Sequence, residues 1–163
     1  MFAVPSRFRR RMAVAMWKEY FDAHFRPERH RRSEWLRQSL MYWLVALFFN
    51  AFPLPQTEVG ARRSLRYLGD LVSDNWSILY FPEGERTEAG EIHPFQPGIG
   101  LIAGRLGVPV VPIRLRGVEK VLHRHAHWPR PGRVEIVFGP PTQLRGEDYA
   151  SIARKIEEAV KAL

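Results

Sequence analysis

The sequence contains no cysteine. Disulfide scaffolds, thiolate zinc sites and cysteine nucleophiles are therefore excluded, while the redox compartment stays open. A long apolar run is also missing. The most hydrophobic stretch, residues 40–52, has thirteen residues, against the roughly 20 that a helix needs to cross a bilayer. It suits a buried core helix or a segment lying at a membrane surface. No apolar run of signal length follows the opening Met1-Phe2-Ala3-Val4-Pro5; Arg7, Arg9, Arg10 and Arg11 come instead. There is no internal repeat, no low-complexity tract, no zinc-type spacing and no recognised nucleic-acid motif, so nucleic acid is not an expected partner.

What is present suits one domain. The chain has 163 residues, 45% of them hydrophobic, enough for a sizeable core. The net charge of +8 is uneven: residues 1–37 hold ten arginines or lysines and four acids. Such an end attracts phosphates, whether on lipid head groups or on a small substrate. An ordinary solvated face is the plainer reading of the same charges.

Phe8, Met12, Ala15, Met16, Trp17 and Tyr20 recur at helical spacing, which predicts a helix over residues 8–23 before Pro27 breaks the chain. A second helix is expected over residues 34–49, closed by Pro53 and Pro55, and a third over residues 58–73. Asp74-Asn75 reads as a turn, and residues 77–81 as a short buried strand. Pro97-Gly98-Ile99-Gly100 opens a helix that Leu106-Gly107 ends. Residues 108–115 are strand-like despite two prolines, residues 134–138 form another strand, and residues 147–162 give the clearest helix in the chain. Short strands alternating with helices argue a single α/β domain, with a small mixed or mostly parallel sheet flanked by helices.

The chemistry concentrates after the strand at 77–81. There the chain reads Pro82-Glu83-Gly84-Glu85-Arg86-Thr87. Ends of strands in α/β folds are common ligand sites. Gly84 permits a tight backbone path, and Arg86 carries planar donors suited to bidentate contact with a phosphate. Glu83 suits either a substrate hydroxyl or the bracing of the arginine. A surface loop with an internal Glu–Arg pair is the bland alternative.

The surroundings sharpen this reading. The run Phe81-Pro82-Glu83-Gly84-Glu85-Arg86-Thr87 resembles the Phe-Pro-Glu-Gly-Thr-Arg-Ser motif of the lysophosphatidic acid acyltransferase family (the phospholipid/glycerol acyltransferases). Val108-Pro109-Val110-Val111-Pro112-Ile113 resembles that family's last block, and Asn50-Ala51-Phe52-Pro53-Leu54-Pro55 its second. Each block alone is weak; three in order, at family-like spacings, are strong. The resemblance implies a glycerol-phosphate acyltransferase-like fold and transfer of a fatty acyl group to a glycerophospholipid-type hydroxyl, in phospholipid biosynthesis. The donor would be acyl-CoA or acyl carrier protein, and the acceptor a lysophospholipid or a glycerol phosphate. Arg86, Glu83 and Gly84 would form the acceptor phosphate site, with Thr87, Gln56 and Pro112 behind them. The resemblance implies no metal and no cofactor. It also implies a peripheral or monotopic protein at the cytoplasmic face of an anionic membrane.

Two departures stand out. The family's general base is a histidine whose ring an aspartate five positions later orients. None of the six histidines here has that partner: Arg29, Trp35, Gly98, Trp128, Arg130 and Gly132 occupy the places. Catalytic residues are thus expected to be absent from this chain. It reads as residues 1–163 of an acyltransferase domain's C-terminal portion, N-terminally truncated, with a helical, membrane-facing part at 1–56 and an α/β part at 57–163 carrying the phosphate motif. A catalytically inactive fragment or homologue that binds membrane or phospholipid is the alternative. The second departure is Gln56, where many members carry an arginine; a neutral amide is the weaker phosphate ligand. Of the other histidines, His123, His125 and His127 alternate as metal ligands on a strand would, but a solvated basic loop before Pro129-Arg130-Pro131-Gly132 is the expected reading. His93 sits in the loop after the motif, near enough in sequence to approach substrate.

Overall fold

The apolar run Met12–Trp17 is a β-strand, β1, which corrects the helix expected over residues 8–23. The computed structural model describes residues 6, 10–17, 21–54, 58–84, 91–122, 128 and 130–163. In it β1 is the middle strand of a three-stranded parallel sheet. It pairs with β2 (Ala51–Leu54) in the register Val14↔Ala51 and with β3 (Ser77–Leu79) in the register Met12↔Ser77. A central parallel strand is covered on both faces and reads as one unbroken apolar run. Such a run matches a helical stripe as well as a strand, and the neighbours on either side decide the matter.

Among the described residues, three α-helices belong with this sheet. A short one, α1 (Asp22–Phe25), leads into the long α2 (Arg32–Phe49). Asn50 ends α2 in the left-handed conformation that asparagine tolerates. Then α3 (Glu58–Ser73) crosses from β2 to β3, as its spacing predicts, and buries Leu68 almost completely. Ala13, Phe21, Ala23, Ala51 and Phe52 share that core. The expected turn follows α3, with Asn75 at φ 60°.

The chain divides into two compact units, Met1–Tyr80 and Phe81–Leu163. In the second, α4 (Pro97–Leu106) starts on a proline and stops at Gly107, φ 59°, as its sequence signals require. The strand expected over residues 108–115 is two strands, β4 (Pro109–Val110) and β5 (Ile113–Arg116). Pro109 and Pro112 each lack a backbone donor, so no single ladder runs through the segment. After a helical turn, α5 (Val118–Val121), come β6 (Glu135–Phe138) and β7 (Thr142–Gln143). β5 pairs antiparallel with β6, and β4 with β7. The last helix, α6 (Tyr149–Lys161), is capped by the Asp148 carboxylate, which accepts the Ser151 N–H at 3.0 Å. At its other end the Arg114 guanidinium donates to the Lys161 carbonyl at 3.0 Å, and that of Arg116 to the Leu163 carbonyl. Cations at a helix C-terminus satisfy its orphan carbonyls. The core here is the α4–α6 contact: Ile99 and Ala103 against Ile152, Ala153 and Ile156. The fold is therefore α/β: a small parallel sheet flanked by helices in the first unit, and two short antiparallel pairs in the second.

One ionic cluster ties α1 to α2. His30 Nε2 lies 3.1 Å from the Asp22 carboxylate, and its Nδ1 3.5 Å from that of Glu34. Arg26 meets Asp22 at 3.2 Å. The hydrogen bond to Asp22 raises the pKa of His30, with Glu34 adding to it. The His30 hydrogen bond, helped by Arg26, holds Asp22 below the usual carboxylate range. The signs follow. The raised histidine stabilises the fold in full below about pH 6.5, and this is lost as pH climbs through its folded pKa. The depressed carboxylate stabilises above its ordinary 3.8 and is lost as pH falls through its folded pKa. Between those limits both contribute. His30→Gln should lower the melting temperature most near pH 5 and least above about pH 8. An equal deficit at both values would show that His30 acts through shape alone.

Candidate phosphate-site motif

Phe81 to Gly84 form a turn. The Gly84 N–H donates to the Phe81 carbonyl at 3.3 Å, and Gly84 sits at φ 79°. Glycine adopts that conformation without strain, which is why the motif needs it there. The Pro82 carbonyl accepts the Gln96 N–H at 2.9 Å. Glu83, half-buried, accepts the His93 N–H at 3.1 Å through Oε2. One oxygen of the motif carboxylate is thus committed to backbone, holding residues 93–96 against the turn. This is a bracing role, as the sequence allowed, but for the loop.

A second carboxylate holds the same loop from the other side. The Phe95 N–H donates to Glu157 Oε2, on α6, at 2.9 Å. Glu157 also accepts from Lys161 one turn on. The Lys161 hydrogen bond, and then that of Phe95, keep Glu157 below the usual carboxylate range. The path from turn to helix is continuous: Glu83 to His93, Phe95 to Glu157, and from the loop directly into α4. Sequence reasoning missed Glu157. Its signal was a glutamate with a lysine four residues later, which reads as an ordinary surface pair. Glu157→Ala should speed amide exchange at Phe95 about tenfold, because a charge-assisted bond is lost. Glu157→Gln keeps an acceptor and should do less. Exchange at Phe95 unchanged in both variants would show that the bond does not hold the loop.

The remaining sequence-chosen residues divide. Pro112 is buried, its carbonyl accepts the Gly139 N–H at 2.9 Å, and its ring packs where a side chain on Gly139 would stand. It also lines a shallow apolar depression with Val110, Leu144, Ile156 and Lys155. None of that depression's lining residues belongs to the Phe81–Gly84 turn. Arg86, Thr87 and Glu85 lie outside the described residues, as do Gln56, His123, His125 and His127. Among the described residues, no group of three histidine, aspartate or glutamate side chains is placed to hold a metal ion.

Comparison with known proteins adds four findings. The family model described as Acyltransferase matches residues 27–116, a span that includes all three blocks singled out in the sequence. A chloroplastic 1-acyl-sn-glycerol-3-phosphate acyltransferase of Brassica napus is 45% identical over 68 residues, covering 42% of this chain and 19% of that protein. The Pseudomonas aeruginosa enzyme of the same name is 26% identical over 156 residues, covering 88% of this chain and 56% of its own. Among solved structures, the 1-acyl-sn-glycerophosphate acyltransferase of Thermotoga maritima superposes with a TM-score of 0.58 at 20% identity. That match covers 93% of this chain and 63% of the other, and it shows the fold. The chain thus spans only part of the relatives it matches. With a family model over more than half its length and the same fold in a solved relative, the chain belongs to the acyltransferase family that includes the lysophosphatidic acid acyltransferases.

Proposed function

We propose that this chain forms the acceptor-phosphate part of an enzyme that moves a fatty acyl group from acyl-CoA or acyl carrier protein to the hydroxyl of a lysophospholipid or glycerol phosphate. The observation that carries the reading is the Phe81–Gly84 turn. It has the motif's glycine in the conformation only glycine takes readily, and its glutamate braces the following loop. Arg86, two residues on, is the phosphate ligand, with Thr87 next to it in the sequence. The relatives named for 1-acyl-sn-glycerol-3-phosphate support a lysophosphatidate acceptor. The exposed apolar and basic side chains between Arg26 and Phe49 face the cytoplasmic surface of an anionic membrane, and residues 57–163 carry the motif.

In the reaction, the acceptor oxygen attacks the thioester carbonyl carbon, the carbon–sulfur bond breaks, and the thiol leaves with the proton. A base must first take that proton from the hydroxyl. No histidine of this chain has an aspartate five positions on, so the base comes from outside it. The same fact favours a second reading, a phospholipid-binding form without turnover.

The test is to offer the purified chain lysophosphatidate with labelled oleoyl-CoA, and separately to measure glycerol 3-phosphate binding by calorimetry. Saturable binding without acyl transfer is expected. Rapid transfer would refute the external base; no binding of either phosphate would remove the acceptor-site reading.

A further inference from the structure

Between the motif turn and α4 the chain has little slack. Residues 93–97 hold three backbone N–H groups, since Pro94 and Pro97 carry none. Each of the three is engaged. The His93 N–H donates to Glu83 Oε2 at 3.1 Å, the Gln96 N–H to the Pro82 carbonyl at 2.9 Å, and the Phe95 N–H to Glu157 Oε2 at 2.9 Å. The first two acceptors belong to the turn itself. The third belongs to α6, sixty-two residues on in the sequence. A segment with its donors engaged and two φ angles fixed by proline moves as a piece, so a displacement at Phe95 is passed to His93, to Gln96 and to the turn.

Glu157 is placed for more than a surface pair. Its side chain is 15% exposed, against 48% for that of Lys161. A pair of this spacing forms as well in open solvent and asks for no burial. A carboxylate taken that far from water needs its oxygens satisfied, and they are: Oε1 accepts from Lys161 Nζ and Oε2 from Phe95. The two bonds together fix how the carboxylate points. The helix that carries it is itself anchored, because Arg114 on β5 donates to the Lys161 carbonyl at 3.0 Å.

We infer that Glu157 is a positioning residue for the acceptor-phosphate site: through the Phe95 N–H it seats the 93–96 loop, and the seated loop fixes the turn from which Arg86 meets the phosphate. The inference rests on the phosphate reading proposed above and adds to it a residue of α6 that acts through backbone rather than on the ligand. A chain with its loop unseated must reseat it before the phosphate is held, so the apparent affinity falls with the seated fraction. The sign is diagnostic. Removing a negative charge by itself strengthens the attraction of the region for an anion, whereas removing a brace weakens binding.

Glycerol 3-phosphate binding to the full chain, measured by calorimetry, tests this on three variants. Glu157→Ala should weaken binding about fivefold. Glu157→Gln, which loses the charge and keeps an acceptor for the Phe95 N–H, should bind within about twofold of the parent. Asp148→Ala removes the α6 cap and lowers the melting temperature without touching Phe95, so it should leave binding unchanged. Should Glu157→Ala fail to fold, the parent chain carries the test by linkage. Saturating glycerol 3-phosphate should slow amide exchange at Phe95 about fivefold and leave that at Ile152, inside α6, as it was. Equal or tighter binding in Glu157→Ala overturns the inference. So does a loss in Asp148→Ala that matches the one in Glu157→Ala, or exchange at Phe95 indifferent to the ligand. A parent chain that binds no glycerol 3-phosphate removes the phosphate reading and this inference with it; binding that Arg86→Ala weakens and Glu157→Ala leaves intact removes this inference alone.

Discussion

Arg86→Ala is expected to weaken glycerol 3-phosphate binding by about 10- to 100-fold, the loss that follows from removing charge-assisted hydrogen bonds of roughly 1.5–3 kcal/mol. The site begins at Gly84. With φ at 79° it turns the backbone immediately before Glu85 and Arg86, and Glu83 ties that turn to His93. A guanidinium two residues beyond a braced turn pays less ordering entropy on binding than one in a slack loop. Arg86→Lys keeps the charge and loses the planar fork, so it should recover only part of the affinity. Glu83→Gln keeps an acceptor for the His93 N–H and should leave binding within a few-fold. Titration calorimetry on the three variants separates these outcomes. Equal affinity in the parent chain and Arg86→Ala would remove Arg86 from the phosphate site.

How far the sequence foretold this depends on where each signal lives. The helices α3, α4 and α6 were legible because their stripes and stops are local: Pro97 and Gly107 bound α4 without help from any other segment. The turn after Pro82 was legible for the same reason, but the strand before it ends at Leu79 rather than 81, and Phe81 is exposed at the turn's start. β1 was not, because Met12–Trp17 is apolar throughout and its strand state comes from pairing with residues 51–54 and 77–79. The break between β4 and β5 was written in Pro109 and Pro112, yet a resemblance to a single family strand hid it. Glu157 was invisible because its partner is a backbone N–H sixty-two residues away. The polarity of α2 was half visible. The apolar residues stood out, but that Ser39 and Gln38 face inward depends on His24 and Ala23.

Gly100→Ala should be the most destabilising single-methyl change in the second unit. A Cβ on Gly100 would overlap the Tyr149 carbonyl oxygen, and would stand 2.7 Å from the Tyr149 carbonyl carbon and 3.1 Å from the Ala153 nitrogen. All three atoms are backbone of α6, so no side chain can rotate away. Only a shift of α4 against α6 relieves the clash, and that opens the contact holding Ile99, Ala103, Ile152 and Ala153. Alanine gains about 1 kcal/mol over glycine within a helix. Overpacking typically costs about 1–3 kcal/mol and occasionally more, and contact with immovable backbone puts Gly100→Ala at the upper end. The net loss should lower the melting temperature by several degrees. Gly104→Ala grades the effect: its Cβ would meet the Gly146 carbonyl oxygen at 2.7 Å but otherwise the movable tip of Ile152 at 3.0 Å. Its deficit should be smaller. Because the loop of residues 93–96 runs straight into α4, the displaced helix should also loosen that loop. Amide exchange at His93 and Phe95 should then rise in Gly100→Ala more than in Gly104→Ala. Equal melting temperatures for Gly100→Ala and the parent chain would mean that the two helices pack farther apart than they do here, and the link from α6 through Glu157 to the phosphate motif would fail with that spacing.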